Sequence, residues 1–370
     1  MNAQSIIFLL SHSSAGGVQE MWADLAEGFR TRGFDVRLMA LYPYLEAAPT
    51  RAGHPPWTYV VARRPTKIGE KLGLLRSLVH LFRTEPSDLV FTAMPAANVL
   101  APLAARMAGA TTRIVVSHHS PVQTYHPLLN AADSLVGSLK NIQTIVSVSN
   151  AVGASLAGKS RSYRAKRRTI HNALPPRVES DLAILAAKRN ERPRGRRVVA
   201  AGRLAPEKNY PALIRAAARM PDVAIQILGT GPHEEMLKAL ADKLGVTDRV
   251  SFLGHRPRKE AFELLAAGDV FVQPSLFEGH SVSLIEAAKL NLPLVVSNVP
   301  SQIEGITATD GTRCGIAVEV HDDAALAETI QSLLDDSAQL EHWTARARHL
   351  AASHTHEKMM AAYRELVGRS

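Results

Sequence analysis

Two carboxylates, Glu278 and Glu286, are separated by seven residues in "QPSLFEGHSVSLIEAA", residues 273–288. Gly279, next to the first, lets backbone come close to a ligand. The run from His280, Ser281 and Val282 looks helical, and a helix start turns N–H groups toward an anion. Glutamates near a helix are usually a solvated face; Gly279 and the apolar Val282, Leu284 and Ile285 argue against that here. A second chemical feature lies upstream in "VVAAGRLAPEKNYPALIRAA", where Arg203 and Lys208 flank a turn at the end of an apolar run. A bidentate guanidinium and a point-charge ammonium at that spacing would grip a diphosphate. Gly229-Thr230-Gly231-Pro232 and Gly254-His255-Arg256 end two further apolar runs. Successive strand ends carrying glycine or charge are how a nucleotide pocket is assembled from separate loops.

The front of the chain offers less. Gly16-Gly17 opens a helical pattern after the first apolar run, and "RIVVSHHSPVQTYHP" sets His118 and His119 at the end of another. No Asp-x-Asp and no His/Cys cluster with ligand spacing is legible. A diphosphate held here would therefore be neutralised by Arg203, Lys208 and helix N-termini, with no metal or cofactor required. A first-strand Gly-x-Gly-x-x-Gly is missing, which disfavours a dinucleotide dehydrogenase.

These loops need strands to position them. Short apolar runs alternate with helical patterns: Ile6–Leu10, Val36–Ala40, Leu89–Ala93, Ile114–Val116 and Thr144–Val148, then Val198–Ala200, Ala224–Leu228, Val250–Leu253, Val270–Val272 and Leu294–Val296. Continuous apolar strands are covered on both faces, the mark of parallel α/β sheets. At 370 residues the chain should hold two domains. The proline- and charge-rich stretch Leu174–Arg197 reads as the linker, giving domains 1–174 and 175–352, with a C-terminal helix at about 353–370 packing back on the first. Ligand binds at the carboxyl ends of the strands of such domains, in the cleft across which they face.

Composition is globular, with 46% apolar and 21% charged residues. One cysteine, Cys314, excludes an internal disulfide framework. No stretch has the apolar length of a membrane span or the layout of a signal peptide, so a cytoplasmic protein is expected. The net charge of +9 lies wholly in residues 1–174. Two segments carry it: "EKLGLLRSLVHLFRTEP", with Leu72, Leu75, Val79 and Phe82 at helical spacing, and the basic loop "GKSRSYRAKRR", Gly158–Arg168. Either suits an anionic membrane surface or a phosphate-bearing acceptor. No motif for nucleic acid accompanies the charge.

Taken in order, Gly16-Gly17, "GRLAPEKN", "LGTGP", "FLGHR" and "FEGHSVSLIEA" resemble the retaining glycosyltransferases of family 4, group 1, across nearly the whole chain. The resemblance implies the GT-B fold of two Rossmann-like, doubly wound domains. It implies transfer of a hexose or N-acetylhexosamine from a nucleotide-diphosphate sugar, UDP favoured over GDP, to a lipid-linked or cell-surface glycan. Glu278 would meet the donor sugar, Glu286 the ribose hydroxyls, and Gly279–Ser283 the diphosphate. His119, or else His118, would lie near the reacting sugar, although Ser120 departs from the family pattern. Asn172 resembles the hinge entering the second domain, with Ala173 where relatives carry glycine. The rival readings are a nucleotide-sugar 2-epimerase of related fold and a non-catalytic sugar-nucleotide-binding protein.

Overall fold

The computed structural model describes residues 3–14, 16–44, 54–191 and 193–368. It divides into two units: the chain up to His171 together with the segment from Glu357 on, and Asn172–His356.

The first unit holds a seven-stranded sheet of β1 (Ser5–His12), β2 (Asp35–Tyr42), β3 (Trp57–Tyr59), β4 (Leu89–Ala93), β5 (Arg113–His118), β6 (Ile142–Ser147) and β7 (Arg167–Thr169). Their order is β3-β2-β1-β4-β5-β6-β7, all parallel. The second holds β8 (Arg197–Ala201), β9 (Ala224–Leu228), β10 (Val250–Gly254), β11 (Val270–Gln273), β12 (Leu294–Ser297) and β13 (Ile316–Val318) in the order β10-β9-β8-β11-β12-β13, also parallel. Each is a doubly wound α/β sheet. Neighbouring strand residues point to opposite faces, and the second sheet shows why apolar residues follow one another in its strands. Val198, Ile225, Ile227, Val270 and Val272 enter one core, whereas Val199, Leu228, Phe271, Leu294 and Val296 enter the other. Strand order reverses between β1 and β4 and again between β8 and β11, the places where loops diverge and leave room for a ligand.

The stretch Leu174–Arg197 is not a linker. Pro176–Asn190 is a helix of the second unit, burying Val178, Leu182 and Ala186 at i, i+4 and i+8. Its prolines occupy the helix start, where a missing N–H costs nothing, and Lys188 and Arg189 stand in the last turn. The composition that suggested a linker is thus the punctuation of a helix; Arg192 lies outside the described residues. Asn172, buried at the unit boundary, donates to the His280 carbonyl at 2.8 Å.

The basic run Gly158–Arg168 is not a loop either. It forms the helix Arg161–Arg164 and then β7. Lys159 is buried against Asp133 at 2.9 Å, and Lys166 reaches the carbonyls of Gly137 and Leu139 at 3.1 and 2.6 Å. Arg167 takes the Gly153 carbonyl at 2.7 Å, and Arg168 pairs with Glu365 at 2.6 Å. Most of its charge therefore holds the chain's own carbonyls and carboxylates, leaving Arg161 and Arg164 exposed.

In the helix Ile68–Thr84 the fully buried residues are Leu74, Leu78 and Phe82, with Leu75 and Val79 of the expected stripe partly buried against the same core, while Ile68 and Leu72 stand exposed beside Lys67 and Lys71. The helix is started by Glu70, whose carboxylate accepts from the N–H groups of Thr66 and Lys67 at 2.8 and 3.2 Å, which hold its pKa below the usual range. Helix His356–Val367 joins the first unit through Arg113 to the Val367 carbonyl, 3.1 Å, and Gln143 to the Leu366 carbonyl, 3.0 Å.

Candidate active site

In the second unit, the loops after β8 and β11 leave adjacent strands at the order reversal, and Lys208 and Glu278 meet there at 2.6 Å. Both side chains are mostly buried, so the pair is screened less than a surface ion pair. Gln273 donates to the same Glu278 oxygen at 3.0 Å and Ser275 at 2.7 Å. One carboxylate oxygen thus takes three donors. The loop is further pinned by Ser301, which accepts from the Glu278 N–H at 3.0 Å, and by the Glu207 carbonyl, which accepts from the Leu276 N–H at 2.8 Å.

Two glycines make this approach possible. Gly202 has φ +153, and a Cβ there would press on the Lys208 side chain; Gly229 has φ +128, and a Cβ there would collide with the Gly202 carbonyl. Gly231 lies equally close to the Leu204 backbone. The β8 and β9 loops are in effect stacked backbone on backbone.

Arg203 stands apart from the Lys208–Glu278 pair. Its side chain is largely exposed and pairs with Glu207 at 2.7 Å. Burial pushes the Glu207 carboxyl up, but the Arg203 hydrogen bond, a backbone N–H and the charges of Arg203 and Lys208 together bring it below the usual range. An acid therefore sits between the two cations assigned to a diphosphate. Glu286 accepts from Arg258 at 3.0 Å, and that guanidinium lies 5.2 Å above the Phe262 ring. Arg256 turns instead to the Leu253 carbonyl at 2.7 Å and to Glu260 at 3.1 Å, and His255 is exposed.

Ser281 is the N-cap of the helix Val282–Lys289, accepting from the Leu284 N–H at 3.3 Å and from Gln273 at 2.9 Å. Gly279 lies between this cap and Glu278. The His280 ring is buried against His354, 5.3 Å between centroids, so any ligand contact from residue 280 falls to its backbone.

In the first unit, Gly16 and Gly17 are exposed at the start of the helix Gly17–Arg30. Gln19, two residues on, is buried and donates to Ser14 Oγ at 3.3 Å. His118, the last residue of β5, and His119, just after it, part company. His118 is fully buried: Nδ1 lies 3.0 Å from the Tyr125 hydroxyl and Nε2 2.9 Å from that of Tyr163. Tyr163 donates to Asp133 at 3.0 Å, so its oxygen accepts from His118 Nε2–H, and Tyr125 donates to Nδ1. Burial, then the charge of Asp133, raises both tyrosine pKa values, while burial lowers that of His118 against the pull of Asp133 and with the help of Lys159. Both nitrogens of His118 are committed to the protein. His119 is partly buried and, among the described residues, uses only Nε2, toward Trp22 Nε1 at 3.1 Å and Ser117 Oγ at 3.0 Å.

Glu207, Arg258, Gln273, Ser275 and Trp22 escaped the sequence reading. Gln273, Ser275 and Glu207 stand in the quoted stretches themselves; Arg258 and Trp22 are brought in by folding. Among the described residues, one group has metal-ligand chemistry, Asp24, Glu27 and His54, with ligand atoms within 4.8 Å of one another. Sequence spacing could not reveal it, because His54 comes from a distant segment. His54 Nε2 lies 2.9 Å from Asp24 and 3.7 Å from Glu27, as an acid–imidazole pair does.

The sequence profile of Glycosyl transferases group 1 matches residues 184–350, and that of Glycosyltransferase Family 4 matches residues 15–177. The GDP-mannose-dependent alpha-(1-6)-phosphatidylinositol monomannoside mannosyltransferase of Mycolicibacterium smegmatis is 30% identical over 273 residues, 68% of either chain. The chain belongs to the family 4, group 1 glycosyltransferases. D-inositol 3-phosphate glycosyltransferase of Mycobacterium sp. (strain KMS) is 32% identical over 185 residues, 45% of this family 4 chain and 41% of the relative. The chain thus spans about four-tenths of that relative's length. Among solved structures, Anabaena Alr3699/HepE in complex with UDP and glucose superposes with a TM-score of 0.80 at 19% identity, covering 99% of both chains, which establishes the shared GT-B architecture.

Proposed function

We propose that this family 4 chain transfers a hexosyl or N-acetylhexosaminyl group from a nucleotide-diphosphate sugar to a lipid-linked or cell-surface glycan, with retention at the anomeric carbon. The observation that carries the proposal is the Lys208–Glu278 pair at the β8/β11 order reversal. An ammonium for the diphosphate is fixed there by a carboxylate whose second oxygen suits sugar hydroxyls. In the reaction the anomeric C–O bond to the diphosphate breaks as the acceptor hydroxyl bonds to the same face of the sugar. The acceptor proton passes to the departing diphosphate oxygen. Lys208 and Arg203 stabilise the charge on that oxygen, and no divalent metal is needed. Glu286, held by Arg258, takes the ribose hydroxyls, and His119 meets the transferred sugar.

The donor is a UDP-sugar in this reading, supported by the UDP and glucose bound to Alr3699/HepE. The GDP-mannose dependence of the mycobacterial relative makes GDP-sugars the second arm of the test. A screen of UDP- and GDP-sugars with mass-spectrometric detection of the released diphosphate decides between them. Release from neither class would end the proposal. Equal turnover in EDTA and in magnesium is expected, and strict divalent dependence would remove the metal-free mechanism.

The acceptor side lies on the first unit, facing an anionic membrane. Exposed Ile68 and Leu72 beside Lys67 and Lys71 support this, as does the exposed pair Leu128 and Leu135 on the helix Pro127–Val136. No helix among the described residues is long and apolar enough to cross a membrane. Cosedimentation with anionic vesicles should occur at low salt and weaken as salt is raised; no binding at low salt would discard the membrane part.

A further inference from the structure

Trp22 is wholly buried, with its ring 5.4 Å from Phe8 and 6.4 Å from Phe91 by centroid. An indole N–H shut away from water needs an acceptor, and it finds His119 Nε2 at 3.1 Å. Indole only donates, so the lone pair of the imidazole is on Nε2 and the ring proton of the neutral form is on Nδ1. Ser117 Oγ, 3.0 Å from the same Nε2, is then a donor too, and Tyr363 engages Ser117 from the C-terminal helix. Nδ1 has no partner among the described residues. His118, one position earlier, has the opposite tautomer, with the proton on Nε2.

We propose that Trp22, with Ser117, is a positioning residue that locks His119 in the Nδ1–H tautomer, so that His119 offers the transferred sugar a neutral hydrogen-bond donor and not a general base. This rests on the reading of the chain as a glycosyltransferase. Nδ1–H can donate to a sugar hydroxyl or a phosphate oxygen, whereas the lone pair a base would need is turned inward on Trp22. Burial, and then the neighbouring His118, hold the His119 pKa at about 3, so the ring stays neutral at any working pH.

The tautomer can be read on the full chain carrying isotope-labelled histidine, by long-range proton–nitrogen correlation, with the His119 signals assigned by their loss in His119→Asn. The wild type should show a protonated Nδ1 and a bare Nε2, unchanged from about pH 6 to about pH 9. Trp22→Phe should let protonated Nε2 appear and lower kcat about tenfold with little change in donor KM. A protonated Nε2 in the wild type overturns the lock, as does Trp22→Phe with unaltered tautomer and kcat. Should Trp22→Phe not fold, the wild-type spectrum together with Ser117→Ala carries the test: a weaker preference for Nδ1–H supports the lock, and a bare Nε2 with unchanged kcat in Ser117→Ala removes Ser117 from it. The spectrum needs no sugar donor. A wild type with the Nδ1–H signature and no turnover on any nucleotide sugar would overturn the functional reading and the role toward sugar while the tautomer assignment stood.

Discussion

The two units present their loops in opposite chemical styles. In the second, every basic side chain at the site is already matched with a carboxylate: Lys208 with Glu278, Arg203 with Glu207, Arg258 with Glu286. In the first, the side chains gathered about His119, those of Ser117 and Trp22, are neutral, and the buried pair Asp133 and Lys159 lies against His118, the residue before His119. Under the proposed function the contrast would be a division of labour. A diphosphate needs cations that are present and oriented before it arrives, and paired carboxylates keep them oriented at little cost in repulsion. Sugar hydroxyls need directional hydrogen bonds that do not change charge with pH.

Removing the ammonium should break the contrast most severely. Lys208→Ala is expected to lower kcat/KM about a thousandfold in a diphosphate-release assay, with a circular-dichroism spectrum like that of the wild type; full activity would remove the leaving-group role. Glu278→Gln keeps the shape of the loop but loses the charge that holds Lys208, and should cost about a hundredfold in kcat. On the neutral side, His119→Ala should cost only about tenfold, since a single hydrogen bond is lost and no charge is left unpaired. A loss as large as that of Lys208→Ala would erase the distinction between the units. Smaller still is Glu207→Gln, which frees Arg203 from its intramolecular partner and should lower donor KM about twofold to threefold in the same assay.

The pH profile sharpens the comparison with the least change in rate. His119→Ala should leave the shape of the kcat profile unaltered, because His119 does not titrate near neutrality. Stability behaves otherwise. The folded pKa values of His119 and His118 lie below the ordinary 6.5, that of His119 at about 3, so in between the unfolded chain binds more protons than the folded one. Their contribution is complete above about pH 6.5 and drains away as pH falls through that window, which urea unfolding at a series of pH values will show as a falling midpoint.

Much of this was legible in the chain. The core strands Leu89–Ala93 and Ala224–Leu228 read out at their observed bounds, because inner strands covered on both faces are mostly apolar, with Thr92 and Gln226 the polar exceptions. The short edge strands β3 and β7 were missed for the matching reason: paired on one side only and partly exposed, Trp57–Tyr59 and Arg167–Thr169 carry no continuous apolar run; β13 was missed as well, although Ile316–Val318 is apolar. Pro176–Asn190 passed for a linker because its apolar face is one narrow stripe among charges. At the site, Glu278 announced itself by its place next to Gly279, and Lys208 by the turn it shares with Arg203 at a strand end. Glu207 and Arg258 did not, because an acid near a base in sequence says nothing about which partner it takes.

The order of apolar runs and loops in the chain determined a pair of parallel sheets and the family to which they belong, since burial and chain reversal are written locally in residue type and spacing. Only the tertiary structure decided which cation meets which carboxylate and which nitrogen of His119 carries the proton. Those depend on neighbours such as Trp22 and Tyr363, which lie far from His119 along the chain and touch its surroundings only once the chain has folded.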